Sequence, residues 1–486
     1  MSTVNQASLR DEFARLKGEF GTLTAAGKVT SEMAVLVGAM MVLLELMVAI
    51  FLEKNTRKNN RNSSLSSSQT GEDESAKGTS GAKSKGSGGQ GQPFDKSRTI
   101  ESTQTIPVST CGCCGEDLSG VDASEHERRT RIDIVFEKTI EHVDAEIKCC
   151  PACAKRTKGE FAADLMGPMQ YGLGVKAYVV NLLAAQMVSL NRTAKLMHSI
   201  LGQRIAEATM LRFVMELYWA LGRWEEATVE ALLASAVIHV DETSMKVNGR
   251  NQWVHVVSAG NLVLKRVHPK RGLEAIRAHD IIPRYGGVTV HDCWASYFSA
   301  EFGGVRHALC GSHLLRELSF VEESNGYVWA GNLRRLLQQA CAEVSASETK
   351  CLEEAAYARL QRRYRNLLTR AEREMPPIPR RQGAPRGGKV AKSDAHNLCE
   401  RLRKHEAAVL LFAKEPLVAF TNNRAERDLR MGKVKQKVSG CFRTERYAKA
   451  YCRISSYLQS MAYQGINPLV AIQMALGGQL YAEKPE

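Results

Sequence analysis

The sequence predicts a multidomain α+β protein: a mixed α/β core with a helical insertion, preceded by a cysteine-bounded β unit and an N-terminal helix. Three observations predict this class. A stretch rich in Ser, Gly and Lys separates an apolar N-terminal segment from the rest of the chain. Six of the 13 cysteines crowd two short segments. Strand-like runs then follow one another between residues 233 and 320 and give way to long helical patterns.

Charge and cysteine usage narrow the function classes. The 486 residues carry a formal net charge of +14 and a pI of about 9.2, which favours a polyanionic partner, although many soluble proteins are basic without one. An odd, clustered set of cysteines fits a reducing compartment and a metal site better than a disulfide framework. The N-terminus begins polar and mixed in charge, so we expect no secretory signal.

Residues 1–56 are expected to form an N-terminal helix. Its segment Met33–Leu52 is almost wholly apolar and long enough to span a bilayer, but Glu45 near its centre would be costly in lipid. Leu36, Leu43 and Ile50 recur every seven residues, with Met40 and Met47 between them. The pattern therefore favours self-association over a membrane helix. Residues 57–105 are expected to be a flexible linker because they cannot bury a core.

Two C-x-x-C pairs bound residues 106–160 and predict a zinc-binding domain. The preferred ligands are four thiolates, which suit tetrahedral structural zinc: Cys111, Cys114, Cys150 and Cys153. The neighbouring Cys113 and Cys149 leave the register open, and reduced cysteines without metal are the alternative. Between the pairs, RIDIVFEKTIEHVDAEIKC alternates apolar and polar residues, which suggests two short strands.

Residues 161–232 are expected to be helical, with a possible DNA-binding role. The segment NRTAKLMHSILGQRIAEATMLRFVMELY predicts a helix, a turn at Gly202 and a second helix. This could be a helix-turn-helix that reads DNA, or two ordinary packed helices.

Residues 233–320 predict the first part of a catalytic core. The order is three strands, a helix, a strand, a helix and a strand, with a short turn at Gly260-Asn261 between the second and third strands. This order matches a ribonuclease H-like sheet, which begins antiparallel and continues parallel. We expect residues 321–400 to be a helical, basic insertion, residues 401–450 to complete the core, and residues 451–486 to form a C-terminal helical element.

Three acidic residues occupy positions where a charge is costly without compensation. Asp241 and Asp292 each end an apolar run and are expected at the carboxyl ends of neighbouring strands. Glu426 lies in the helical pattern TNNRAERDLRMGK, where the alternative is an ion pair with Arg430 on a solvated face. Together these carboxylates could hold two divalent metal ions for phosphoryl transfer.

Other residues could support this site. Arg424, Arg427 and Arg430 are expected to bind phosphate groups. Glu242 should point to the opposite face of the strand from Asp241. Cys310 and His313 form a C-x-x-H spacing that could be half of a metal site or a pair packed in the core.

The combined motifs resemble the insertion sequence 66 family of bacterial transposases. The resemblance is carried by HVDET, VHDCW, C-x-x-H and NNRAERDLR with its downstream segment, and extends from about residue 40 to 475. It implies a DDE transposase with Asp241, Asp292 and Glu426 at the three acidic positions. It also implies Mg²⁺ (or Mn²⁺) as the working metal, and strand cleavage with 3′-end joining on element-end DNA. The linker lacks the proline usual after its Asn/Ser run, and the N-terminal helix is unusually apolar.

The expected partners are double-stranded DNA, as element termini and target, and a second copy of the chain. Accessory proteins of the same element could take part, and a membrane partner is not expected. The expected location is the bacterial cytoplasm, at the nucleoid. Two other functions stay open: a catalytically silent, zinc-containing DNA-binding repressor, and a ribonuclease H-like structure-specific nuclease.

Overall fold

The structure is a computed structural model. It describes residues 6–56, 58, 62, 104–129, 138–162, 165, 167–378 and 391–479. The chain divides into two compact units, residues 1–72 with 145–486, and residues 73–144. All helices and strands named below belong to the first unit. The predicted linker 57–105 lies almost entirely outside the described residues.

The N-terminal segment forms two helices, not the single helix that we predicted: α1 (Gln6–Ala25) and α2 (Ser31–Asn55). Gly27 adopts φ +68° between them, and the Thr30 hydroxyl accepts the Met33 N–H at 3.3 Å to cap α2. Lys17 Nζ of α1 binds Glu45 Oε2 of α2 at 2.8 Å. The charge that interrupts the apolar helix is therefore paired.

A short antiparallel pair follows, β1 (Ile147–Cys149) with β2 (Arg156–Lys158). The two strands flank the second cysteine pair, whereas we expected both strands between the two pairs. Residues 138–146 are not in strands, and residues 130–137 lie outside the described part of the chain. The strands are short because the turn through the cysteine pair, not a hydrophobic face, brings them together.

Helices fill most of residues 173–233, whereas the prediction began the helical region at residue 161 and the described residues of 161–172 form no helix. The helices are α3 (Leu173–Val180), which continues into a π-helical turn (Asn181–Ala185), then α4 (Leu190–Leu201), α5 (Glu207–Ala220) and α6 (Gly222–Leu233). Gly202 ends α4 at φ +73°, a conformation that favours glycine, so the predicted helix, glycine turn and helix are present. Phe213 and Leu217 of α5 are fully buried against neighbouring helices.

A five-stranded mixed sheet forms next. Its elements are β3 (Val237–Val247), β4 (Arg250–Ala259), β5 (Leu262–His268), α7 (Leu273–His279), β6 (Val288–His291) and β7 (Arg306–Leu309). The spatial order is β5-β4-β3-β6-β7, with β3, β4 and β5 antiparallel and β6 and β7 parallel to β3. The antiparallel start and parallel continuation agree with the prediction. The helix expected between the last two strands is absent there, and two 3₁₀ turns replace it (Ala295–Phe298 and Ala300–Phe302).

The insertion begins directly after β7. Its helices are α8 (Gly311–Asn325), α9 (Val328–Ala346), α10 (Glu354–Glu374), α11 (Asp394–Lys404) and α12 (Glu406–Leu410). They bury Trp329 and Tyr364 completely and share one apolar core with β6 and β7. The predicted boundaries at 320/321 and 400/401 therefore fall inside α8 and α11.

Three helices complete the unit: α13 (Asn423–Ser439), α14 (Glu445–Tyr463) and α15 (Pro468–Leu476). Ala425 and Leu429 of α13 pack on the face of β3 and β4. The hydroxyls of Ser460 and Ser456 on α14 accept N–H groups of the edge strand β5 at 2.9 and 2.8 Å. The predicted boundary at 450/451 falls inside α14, the helix that covers this sheet edge.

The end of α2 is anchored to the insertion. Leu46, Ala49 and Leu52 are buried, and Glu53 is only 5 % exposed. The Glu53 carboxylate accepts the N–H groups of Asp394 at 2.5 Å and Ala395 at 3.0 Å, which begin α11. A carboxylate at a helix N-terminus satisfies free N–H groups and interacts favourably with the helix dipole. These contacts fix α2 on the folded unit from Leu46 onward.

Candidate active site

Asp241 lies in β3, and Asp292 directly follows β6, the neighbouring strand of the sheet. Parallel pairing joins β3 to β6 from Val237 opposite Val288 to His239 opposite Val290. Asp292 follows β6 directly, as predicted. Asp241 is not at the end of its strand: β3 continues to Val247, paired only with β4. The prediction placed the strand end too early because the apolar run stops at Asp241, whereas the hairpin through Asn248 and Gly249 extends the pairing.

Alternation along β3 separates Asp241 from Glu242. Met245 and Val247, which share the parity of Asp241, pack with the residues of α13. Ile238 and Val240, which share the parity of Glu242, lie in the core on the other face. Glu242 is held there by the Arg271 Nε at 2.7 Å and by the Tyr297 hydroxyl at 2.7 Å. The predicted opposite orientation of these two carboxylates is thus present.

Glu426 occupies the first turn of α13 and faces α8. Its Oε1 lies 3.6 Å from His313 Nδ1 and 3.8 Å from Arg316 Nη2. Arg430, its alternative partner in the sequence analysis, is exposed. The environment of Glu426 is therefore a contact between two helices and not a solvated helix face.

Asn422 fixes the start of α13, and its role was not predicted. This residue is buried, and its Nδ2 donates to the Val240 carbonyl at 2.8 Å. Its Oδ1 lies 3.0 Å from His239 Nδ1, and its N–H donates to Cys310 Sγ at 3.1 Å. Asn422 thus joins β3 to the start of α8 and sets the position of Glu426 four residues later. A polar His239 within an apolar strand was the available sequence signal.

The carboxylates influence one another. Burial raises the pKa of Asp241 well above its ordinary value, and the charges of Glu242, Asp292 and Glu426 raise it further. Burial and Asp292 also raise the pKa of Glu242, which Arg271 and Tyr297 partly offset. The fold therefore brings all three predicted acids within electrostatic reach of one another.

Arg271 is the principal counter-charge on the Asp292 side. Its Nη2 lies 3.9 Å from Asp292 Oδ2, and its Nε binds Glu242. The guanidinium lies between two indole rings, 3.7 Å from the centroid of Trp294 and 5.0 Å from that of Trp253. Stacking of this kind holds a guanidinium in place without using its donors.

The acidic set suits a divalent cation. Glu426 Oε1 is buried and accepts no hydrogen bond from the described residues. Among the described residues, Asp241 Oδ1 accepts the backbone N–H of Glu242 at 2.8 Å. Carboxylate oxygens are the ligands that Mg²⁺ and Mn²⁺ prefer. The residue types therefore fit such an ion, but the ligand atoms of Asp241, Asp292 and Glu426 do not all lie within 4.8 Å of one another.

Comparison with known families decides the identity of the chain. The family described as Transposase IS66 family matches residues 168–450, which is more than half of the 486 residues. The chain belongs to this transposase family. The matched region contains the sheet, the insertion, α13 and all three acids. No individually curated protein matches the chain.

The transposase places Cys310 and His313 beside Glu426. Cys310 Sγ, His313 Nδ1 and a Glu426 carboxylate oxygen all lie within 4.8 Å of one another. The sequence offered no second half for this C-x-x-H spacing, because Glu426 lies more than a hundred positions later and only folding brings it near.

The three predicted phosphate-binding arginines differ in their surroundings. Arg424 Nε binds Asp428 Oδ2 at 3.1 Å, and its guanidinium lies 4.1 Å from the Tyr463 ring centroid. Arg427 and Arg430 are exposed. Arg424 therefore has a role inside the transposase, which leaves Arg427 and Arg430 as the accessible pair.

Each cysteine pair forms a similar turn. The Cys111 N–H donates to Glu116 O at 2.9 Å, and the Gly115 N–H donates to Cys111 O at 3.0 Å. The Cys150 N–H donates to Lys155 O at 2.9 Å, and the Ala154 N–H donates to Cys150 O at 2.8 Å. Backbone N–H groups two and three residues later lower the pKa of the Cys111 and Cys150 thiols. Both turns thus favour thiolates, the form that binds metal.

Replacing Asp241 with Asn should stabilise the metal-free transposase at neutral pH. Because the folded-state pKa of Asp241 is raised, the folded chain binds more protons than the unfolded chain above the ordinary Asp pKa. Stability therefore falls as pH rises through the window between these two pKa values, and Asn removes this loss. We expect a gain of about 0.5–2 kcal/mol at pH 7.

Thermal unfolding in the presence of a chelator, from pH 4 to 8, measures this difference. The gain should shrink as the pH falls toward 4, because Asp241 stays protonated in the folded chain and the unfolded chain begins to bind the same proton near the ordinary Asp pKa of 3.8. A variant less stable than the wild type at pH 7 would contradict the prediction. Asp280→Asn, an exposed change outside the site, is the control.

Proposed function

We propose that this transposase cleaves DNA at the ends of its element and joins the 3′ ends to target DNA, using Asp241, Asp292 and Glu426. The observation that carries the proposal is that Asp292 and Glu426 lie close enough to Asp241 to raise its pKa, while Glu426 Oε1 is buried and accepts no hydrogen bond from the described residues. Two Mg²⁺ or Mn²⁺ ions bound there would activate the attacking oxygen and stabilise the leaving one.

The residues of the chain supply position and charge. Asp241 is held by pairing with Val256 of β4, Asp292 Oδ1 accepts the Trp294 N–H directly after β6, and Asn422 fixes Glu426 through β3. Arg271 balances Glu242 and Asp292, which limits the repulsion among four carboxylates. Rigid placement of this kind matters because positioning and charge account for most of the catalysis in phosphoryl transfer.

A ribonuclease H-like core is part of the proposal. The strand order β5-β4-β3-β6-β7, with three antiparallel strands and two parallel additions, supports it. The helical insertion between β7 and α13 then lies between the second and third acids, as in other DDE enzymes.

DNA is the proposed partner. The net charge of +14 and the exposed Arg427 and Arg430 beside the acids support phosphate binding near the site. The two helices around Gly202 support a helix-turn-helix reader, with α5 as the helix that would enter the groove. The protein would then act in the bacterial cytoplasm at the nucleoid, with accessory proteins of the element as further partners.

Structural zinc at Cys111, Cys114, Cys150 and Cys153 remains a proposal. The turn at each pair supports it, because both resemble the loops that present two thiolates to one metal. Zinc here would stabilise a region with little apolar core and would take no part in the chemistry.

The hairpin of α1 and α2 is proposed to pair with a second copy of the chain. Leu36, Met40, Leu43 and Met47 are exposed at three- and four-residue spacing. By length and composition, α2 could also cross a membrane. However, the helix is docked from Leu46 onward, over nearly three turns, which leaves about 15 residues, or about 22 Å, free. That length is shorter than the roughly 30 Å of a bilayer core, so the docked helix supports self-association instead.

The test uses purified full-length protein, Mg²⁺ and labelled DNA carrying the cognate element ends. We expect nicks at the element ends and, with target DNA present, joined 3′ ends. Binding without cleavage would instead indicate a repressor. Equal cleavage of branched DNA with scrambled ends would indicate a structure-specific nuclease.

A further inference from the structure

The space around Cys310, His313 and Glu426 contains three potential metal ligands that face one another. Cys310 Sγ, His313 Nδ1 and a Glu426 oxygen lie within 4.8 Å of each other. A thiolate, an imidazole and a carboxylate are a ligand set for zinc and related borderline metals, and not for Mg²⁺. The set is therefore chemically distinct from the all-carboxylate site beside it.

Two of the three ligand atoms have no hydrogen-bond partner among the described residues. His313 Nδ1 and Glu426 Oε1 are both buried, and neither makes a hydrogen bond with the described residues. They lie 3.6 Å apart, too far for a direct hydrogen bond. Buried polar atoms without partners are costly and require an explanation, for which a bound ion is a direct candidate.

The local backbone around Cys310 resembles that of the two cysteine pairs. Burial raises the pKa of the Cys310 thiol, and the N–H groups of Asn422, His313 and Ser312, the last two lying three and two residues after Cys310, partly offset this rise. The same offsets operate at Cys111 and at Cys150. Cys310 Sγ also accepts the Asn422 N–H at 3.1 Å, a bond that a metal-bound thiolate retains. The segment Cys310–His313 begins α8, and this helix start places the thiol and the imidazole three residues apart on the side that faces Glu426.

We propose that Cys310, His313 and Glu426 bind one zinc-class divalent ion. Three protein ligands leave a fourth position open for water. The two negative charges of the thiolate and the carboxylate equal the charge of a divalent ion, and Arg316 Nη2 lies 3.8 Å from Glu426 Oε1. By binding Oε1, the ion would hold the Glu426 side chain against α8. The second carboxylate oxygen of Glu426 would stay available to bind a catalytic metal together with Asp241 and Asp292.

Metal content decides the proposal without any assay of catalysis. Full-length protein is loaded with Zn²⁺, dialysed and analysed for zinc per chain, with separately prepared Cys310→Ser and His313→Ala variants. Each variant should hold one zinc fewer than the wild type. Cys341→Ser, a half-buried cysteine on α9, is the matched control and should lose none. Equal zinc in the wild type and both variants would overturn the site.

Cobalt substitution gives a second readout that survives a poorly folding variant. Loading with Co²⁺ produces thiolate-to-metal absorption from every cysteine that binds it. Glu426→Gln leaves the thiol intact. It should lower the Co²⁺ affinity of one class of site by at least about tenfold and leave the affinity of the others unchanged. An unchanged titration would contradict the proposal.

Asp292→Asn separates this site from the proposed catalytic role. It should abolish DNA cleavage but retain the full zinc content, because Asp292 is not one of the three ligands. If Asp292→Asn also lost one zinc, the ion would belong to the acidic set and the assignment to Cys310 and His313 would be wrong.

Discussion

Glu426→Gln should lower the rate of DNA strand cleavage by about 10³-fold or more while the protein remains folded. Glutamine keeps the shape of the side chain but removes one negative charge from the acidic set. Glu426 Oε1 accepts no hydrogen bond from the described residues, so the substitution costs no hydrogen bond at this oxygen among them. It also removes a charge that raises the pKa of Asp241. The melting temperature should therefore stay within a few degrees of the wild type, which corresponds to a change of about 1 kcal/mol in the free energy of unfolding.

Cleavage of labelled element ends under single-turnover conditions measures the effect, with binding followed separately by mobility shift. DNA binding should change by less than about tenfold, because one carboxylate near the phosphates tends to oppose binding. Glu445→Gln, an exposed glutamate in the first turn of α14, is the matched control and should retain full activity. Cleavage within tenfold of the wild type would show that Glu426 is not one of the catalytic acids.

Asp428→Ala should lower the free energy of unfolding by about 3–5 kcal/mol. The side chain of Asp428 is fully buried. Its Oδ1 accepts Gln459 Nε2 at 2.8 Å and the Tyr463 hydroxyl at 2.5 Å. Its Oδ2 accepts the Ser258 hydroxyl at 2.6 Å and Arg424 Nε at 3.1 Å. Alanine would leave four donors, including a guanidinium, without this acceptor.

Equilibrium urea unfolding measures this loss, because the midpoint moves while the slope stays constant if only stability changes. Asp428→Asn should lose less, since its amide oxygen still accepts some of the donors. Glu372→Ala removes an exposed ion pair with Arg403 and should cost less than about 1 kcal/mol. A loss below 1 kcal/mol for Asp428→Ala would mean that water replaces the carboxylate. Because α13 also carries Glu426, the variant should lose activity beyond its loss of stability.

The same residues show how far sequence reasoning reached. Asp292 was placed correctly because an apolar strand ends at a charged residue. Asp241 was placed at a strand end for the same reason, but hairpin pairing with β4 continues past it to Val247. Polar residues in a two-sided strand can be satisfied by partners from elsewhere in the chain, so polarity alone does not mark an end.

Residues whose role depends on distant partners were missed or incompletely understood. Asn422 was missed because its bonds to Val240 and Cys310 join segments far apart in sequence. Arg271 has no motif of its own, and it matters because Trp253 and Trp294 hold it beside Asp292. Arg424 was predicted to bind phosphate, and the sequence did not indicate that its Nε also binds the buried carboxylate of Asp428.

The sequence by itself determined the family, the alternation that separates Asp241 from Glu242, and the helix, glycine turn and helix at Gly202, and it predicts the three acids. Each of these features depends on residues that are close together in the sequence, through their spacing, their periodicity or a short motif. Only the tertiary structure decided that Glu426 faces α8, that Cys310 and His313 approach it, and that α2 ends docked on α11. These contacts join residues more than a hundred positions apart, and a linear pattern does not specify which distant side chain fills a buried space.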